Sequence, residues 1–269
     1  MSYIKEFIHK KRIINPLRIG DAIGLCILRY LFLYLFSFLC LLFFIPQTAL
    51  MFIVNIVGYY LLITLVLKFY SKYDYNDWQI NKTNFSLNIY GVVLLFFIGY
   101  LLLNNLTVLQ IARMFVSGSE NYKGLQSSII SSNPLLAIIV VWIIAPICEE
   151  IVFRGIVLEG LLKKYSYKKA IFFSALLFSI SHKNMPQFVN TFFFGLLISY
   201  LYYKTHSLKL CIFAHILNNS LGSILIHFII LIPYLNGPLG FILGLLILLS
   251  SYILFIKGKS KYSNHTESA

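Results

Sequence analysis

Charge is what this sequence has least of. Asp, Glu, Lys and Arg make up 12% of its 269 residues, and only nine of them are acidic. Soluble domains carry about 25% charged residues, so an ordinary soluble fold is excluded, as the 59% hydrophobic content and mean hydropathy of +0.82 also require. Cysteine is equally scarce. Cys26, Cys40, Cys148 and Cys211 all fall in apolar runs, which argues against a disulfide framework. Cys148 is read as a small buried hydrophobe rather than a nucleophile. Neither HExxH nor another compact zinc motif occurs, and there is no internal repeat or low-complexity tract. The final HTESA forms no C-a-a-X box. The first apolar run lacks a small-residue cleavage site and reads as a retained signal anchor.

What is present is apolar length. Eight runs are long enough to span a bilayer as helices: 22–45, 49–67, 86–104, 135–162, 169–184, 187–203, 208–232 and 238–256. The expected fold class is therefore all-α, a polytopic membrane helical bundle of about eight transmembrane helices. Placing the N-terminus in the cytoplasm puts 17 of the 22 basic residues in inner segments; only Arg113, Lys123 and Lys183 fall outside. That bias is the positive-inside pattern, with both termini cytoplasmic. It assigns the net charge of +13 to topology and to attraction for an anionic lipid bilayer, not to nucleic acid. The expected organisation is a basic N-terminus over 1–21, N-terminal spans and an outer loop over 22–134, a core over 135–232, a last span over 233–256 and a flexible tail over 257–269. The longest loop, Leu106 to Pro134, is polar and turn-rich. Gly240 and Gly244 form a GxxxG, a weak sign of close helix packing.

Against that apolar background three charged residues stand together: Glu149, Glu150 and Arg154. A charge near the centre of a membrane helix costs roughly 2.5–3.5 kcal/mol, so each needs a partner or a function. Glu150 and Arg154 are at i, i+4 and read as an ion pair. Glu149 lies about 100° away around the helix, without a cation on its own helix, and suits a general base. His182 ends a further apolar run, and His215 and Asn219 share one face of another. At 1.5 Å per residue, Glu149, His215 and Asn219 fall in one band, from the midplane toward the cytoplasm. Arg29 reads as a snorkelling residue, and Asn218 as a cap or packing contact.

Taken in order, Glu149-Glu150-x-x-x-Arg154, Phe178-x-x-x-His182 and His215-x-x-x-Asn219 resemble the three motifs of the CPBP family, the CAAX-protease and bacteriocin-processing (Abi) proteins. The resemblance covers about residues 135–232. It implies an intramembrane cavity and endopeptidase activity toward a peptide or membrane-protein substrate. Eukaryotic members trim prenylated proteins, whereas bacterial members are linked to bacteriocin immunity and to processing of bacteriocins and peptide pheromones. Carried onto this chain, the catalytic residues are Glu149, His182, His215 and Asn219: Glu149 activates water with help from His182, and His215 and Asn219 face the oxyanion. Glu150 and Arg154 are the supporting pair. A metal-free reaction is favoured; the alternative is a divalent metal such as zinc on Glu149, His182 and His215. Richness in Ile, Lys, Asn, Tyr and Phe points to a bacterial cell membrane and away from prenylated substrates. Two other classes stay open: a non-proteolytic scaffold or immunity protein, and a proton-relay transporter, the latter disfavoured by the lack of inverted repeats.

Overall fold

The computed structural model describes residues 3–8, 12–44, 47–73, 87–107, 134–182, 185–231, 235 and 237–263. Among these residues there are nine helices: α1 (Tyr3–Ile8), α2 (Ile19–Leu42), α3 (47–70), α4 (Leu87–Leu106), α5 (Pro134–Leu162), α6 (Tyr167–Ile180), α7 (Met185–Thr205), α8 (Leu208–Leu231) and α9 (Pro238–Ser263). Each of the eight apolar runs becomes a helix, so the all-helical expectation holds, with one small departure. Residues Arg12–Ile14 (β1) pair antiparallel with Ser71–Tyr73 (β2), with Ile13 opposite Lys72. Three helices are long and apolar enough to cross a membrane: Ile19–Leu42, Pro134–Leu162 and Pro238–Lys257. Val54–Tyr70 and Asn88–Asn104 are shorter apolar helices. Large apolar side chains such as Leu31, Leu35, Leu246 and Ile253 stand exposed along α2 and α9, as a hydrocarbon solvent permits. The chain is a multi-pass membrane protein. Most of the polar loop between α4 and α5 lies outside the described residues, as do residues 264–269; α9 itself continues past 256 to Ser263.

Two compact units emerge: Met1–Lys82 with Gly118–Ile212, and Thr83–Ser117 with Phe213–Ala269. In the first, the N-terminal segment docks on the end of α5. Ile14 and Leu17 are buried, Leu17 N–H donates to the Gly160 carbonyl at 2.9 Å, and a Cβ at Gly160 would meet Leu17 Cγ at 2.4 Å. Only glycine admits that approach. Helix α5 is not uniform. It opens into wider π turns at Val140–Ile144 and again at Ile151–Leu158. Pro146 supplies a reason for the first: it has no N–H to return to the turn before it, so that turn must rearrange its bonding.

In the second unit α4 and α9 meet at glycines. A Cβ at Gly99 would come within 2.7 Å of the Leu248 backbone nitrogen, and one at Gly244 within 3.1 Å of Leu102 Cβ. The GxxxG signal is thus half right. Gly244 serves the helix–helix contact, whereas Gly240 accommodates the Leu235 carbonyl at the start of α9.

Candidate active site

Helix α5 delivers the acidic pair at the end of its α-helical turn Ala145–Glu150, and Arg154 one turn on, inside the buried π stretch. Glu150 and Arg154 are both fully buried, and Arg154 Nη1 donates to Glu150 Oε1 at 2.9 Å. This is the expected i, i+4 pair. The guanidinium has two further contacts. Its Nη2 donates to the Gly195 carbonyl of α7 at 3.3 Å, and its carbon lies 4.6 Å from the centre of the Phe178 ring of α6. A desolvated charge tolerates burial only with such compensation. Gly195 makes it possible, since a Cβ there would meet Ala175 at 3.1 Å and push α7 from α6.

Phe178 is the hub. Its ring packs edge-on against Phe153 at 5.1 Å and against His182 at 5.1 Å. His182 Nδ1 lies 3.1 Å from the Phe178 carbonyl oxygen. A carbonyl only accepts, so Nδ1 carries the hydrogen in the neutral ring and Nε2 is left as the basic nitrogen.

Glu149 stands apart from this pair. Its side chain is 16% exposed, and the cation missing from its own helix comes from α2: Arg29 Nη2 lies 3.9 Å from Glu149 Oε1. Arg29 does not snorkel. It is buried, donates from Nε to the Tyr59 hydroxyl at 3.1 Å and from Nη2 to the same oxygen, and is ringed by Tyr30, Tyr59 and Phe153 at 5.4–5.5 Å. An anion and a hydroxyl at its own depth replace the interfacial water that snorkelling would seek. Arg29 and Tyr59 are the site residues that sequence reasoning missed. The available signal was a cation within one apolar run and a carboxylate lacking one in another. Cys148 Sγ donates to the Asn55 carbonyl at 3.4 Å, a structural tie to the wide turn of α3 at Val54–Gly58.

His215 and Asn219 lie on α8 within the second unit, one helical turn apart. His215 is buried. Asn218, read above as a cap or packing residue, donates its amide to Asn219 Oδ1 at 3.2 Å, so the Nδ2 of Asn219 is the donor end for other groups. Among the described residues of either unit, no three His, Cys, Asp or Glu side chains gather to hold a metal ion. Glu149 already faces a guanidinium, a competitor to a divalent cation, so the first unit's own donors do not make a zinc set.

Residues 131–221 match the family model described as type II CAAX prenyl endopeptidase Rce1-like, a segment that includes every candidate site residue except Arg29 and Tyr59. Over 102 residues the chain is 33% identical to a Bacillus subtilis (strain 168) protein named "Putative membrane peptidase YdiL". That match takes in 38% of this chain and 41% of the relative. No solved structure matches.

Proposed function

With residues 131–221 an Rce1-like CAAX endopeptidase segment, we propose that this protein is an intramembrane endopeptidase that hydrolyses a membrane-associated peptide or protein with water activated by Glu149. The observation that supports this best is the division between the two adjacent glutamates. Glu150 is sealed against Arg154, whereas Glu149 retains exposure beside Arg29. In the reaction Glu149 takes a proton from water, and the water oxygen attacks the scissile carbonyl. His182 Nε2 assists the transfer. His215 and the Asn219 amide donate to the oxyanion, a contribution of about 3 kcal/mol for one donor. Collapse of the tetrahedral intermediate breaks the C–N bond, and the proton passes from Glu149 to the leaving amine. The roles follow the family resemblance.

Both termini are cytoplasmic in this reading, in keeping with the basic bias of the loops. The substrate class to test first is a secreted peptide precursor of bacteriocin or pheromone type, with processing or self-immunity as the role. A scaffold without cleavage is the second reading, favoured by the full burial of Glu150 and Arg154, which gives part of the motif a folding purpose. Peptidomics of cells producing wild-type or Glu149→Gln protein separates the two. A peptidase loses a cleavage product per unit of protein; a scaffold loses neither product nor phenotype.

A further inference from the structure

We infer that Arg29, together with its neighbour Tyr30, is a positioning element for the catalytic groups, supplied by a helix that lies outside the Rce1-like segment. The inference rests on the peptidase reading and deepens it, because it assigns part of the site to the N-terminal region of the chain.

Two adjacent residues of α2 address both motifs of the first unit. Arg29 reaches Glu149 of α5 at 3.9 Å. Tyr30 donates its hydroxyl to the Ile180 carbonyl at 3.1 Å, at the end of α6 and two residues before His182. Arg29 is itself fixed by donating to the Tyr59 hydroxyl of α3 and by the surrounding rings. One of those rings, Phe153, also packs against Phe178, the residue whose carbonyl holds the His182 imidazole. The guanidinium therefore sets where the Glu149 carboxylate sits, and the tyrosine sets where the chain turns into His182. Neither residue is required by the helix itself. Leu or Ile at 29 would suit a membrane-spanning helix better, since a buried arginine there is costly. Its presence there is explained by the carboxylate it holds. Loss of that hold displaces a general base, and a misplacement of about 1 Å costs on the order of 100-fold in rate.

The test uses the full-length chain. In detergent, thermal midpoints are measured for wild type, Arg29→Gln, Glu149→Gln and the double variant. Coupling through Glu149 lowers the midpoint of Arg29→Gln by about 4 °C or more when residue 149 is Glu, and by about 1 °C or less when it is Gln. Equal shifts in both backgrounds overturn the pairing. In cells, the Glu149-dependent peptide product is quantified per unit of protein. Arg29→Gln is expected to lose about 100-fold, Arg29→Lys to restore most of it, and Tyr30→Phe to lose an intermediate amount. A purely structural Arg29 lowers protein level and leaves product per protein unchanged, which overturns the inference. If wild-type cells yield no Glu149-dependent product, the peptidase reading fails and the catalytic meaning of Arg29 fails with it. The thermal cycle then reports separately on the ion pair.

Discussion

The guanidinium of Arg154 lies over the ring of Phe178, 4.6 Å from its centre, while its Nη1 donates to Glu150 at 2.9 Å. One arginine thus joins α5 to α6. Both ends of the ion pair are fully buried, so removing one strands the other in a medium that cannot solvate it. Arg154→Ala is expected to destabilise the protein by about 3–5 kcal/mol. Phe178→Leu keeps the pair and loses the ring, at about 1–2 kcal/mol. Thermal unfolding of the purified protein checks both, and the larger loss must belong to Arg154.

The two glutamates separate activity from stability. Glu149→Gln should lower the melting temperature only by the few degrees that its pairing with Arg29 supplies, and lose about 100- to 10,000-fold in hydrolysis per unit of protein, the span of general-base catalysis. Glu150→Gln leaves the Arg154 charge buried without its anion, and its first effect is on protein yield and melting temperature. Yield, melting temperature and product formation measured side by side for the two variants decide the assignment.

For His182, the hydrogen bond from Nδ1 to the Phe178 carbonyl allows a specific substitution. His182→Asn keeps a side-chain N–H near that carbonyl and removes the basic Nε2. Melting temperature should stay close to wild type while product falls about 100-fold or more. A variant that unfolds instead assigns His182 to folding.

The second unit offers a stability prediction independent of the chemistry. Gly99→Ala places a methyl within 2.7 Å of the Leu248 backbone nitrogen, and backbone at that distance has no flexible end to yield. Overpacking of this kind costs about 1–3 kcal/mol, against the gain in helix propensity that alanine otherwise brings. Gly91→Ala in the same helix, where no atom lies within 4 Å, is the control and should be neutral or stabilising. Melting temperatures of the two variants give the comparison.

What was legible in the sequence follows the range of the forces involved. Apolar length announced the helices, and the i, i+4 spacing announced the Glu150–Arg154 pair, because both are local. Arg29 was misread because its partners are remote in sequence: Tyr59 on α3 and Glu149 on α5. A single apolar run with one arginine looks the same whether the guanidinium reaches for headgroups or for a carboxylate. The pairing of Arg12–Ile14 with Ser71–Tyr73 escaped for a similar reason, since neither strand has a register of its own without the other. The π turns of α5 lay between these extremes. Pro146 marked a disturbance in the helix but not the length of the second wide stretch at Ile151–Leu158.

The central claim is that Glu149 activates the water that cleaves the substrate, and product formation per unit of folded protein tests it most directly. Wild-type and Glu149→Gln protein are produced in cells, the folded protein is quantified, and the released peptides are measured by mass spectrometry. The expected result is a cleavage product that falls about 100-fold or more per unit of protein in Glu149→Gln. Equal product per unit of protein from the two contradicts the claim.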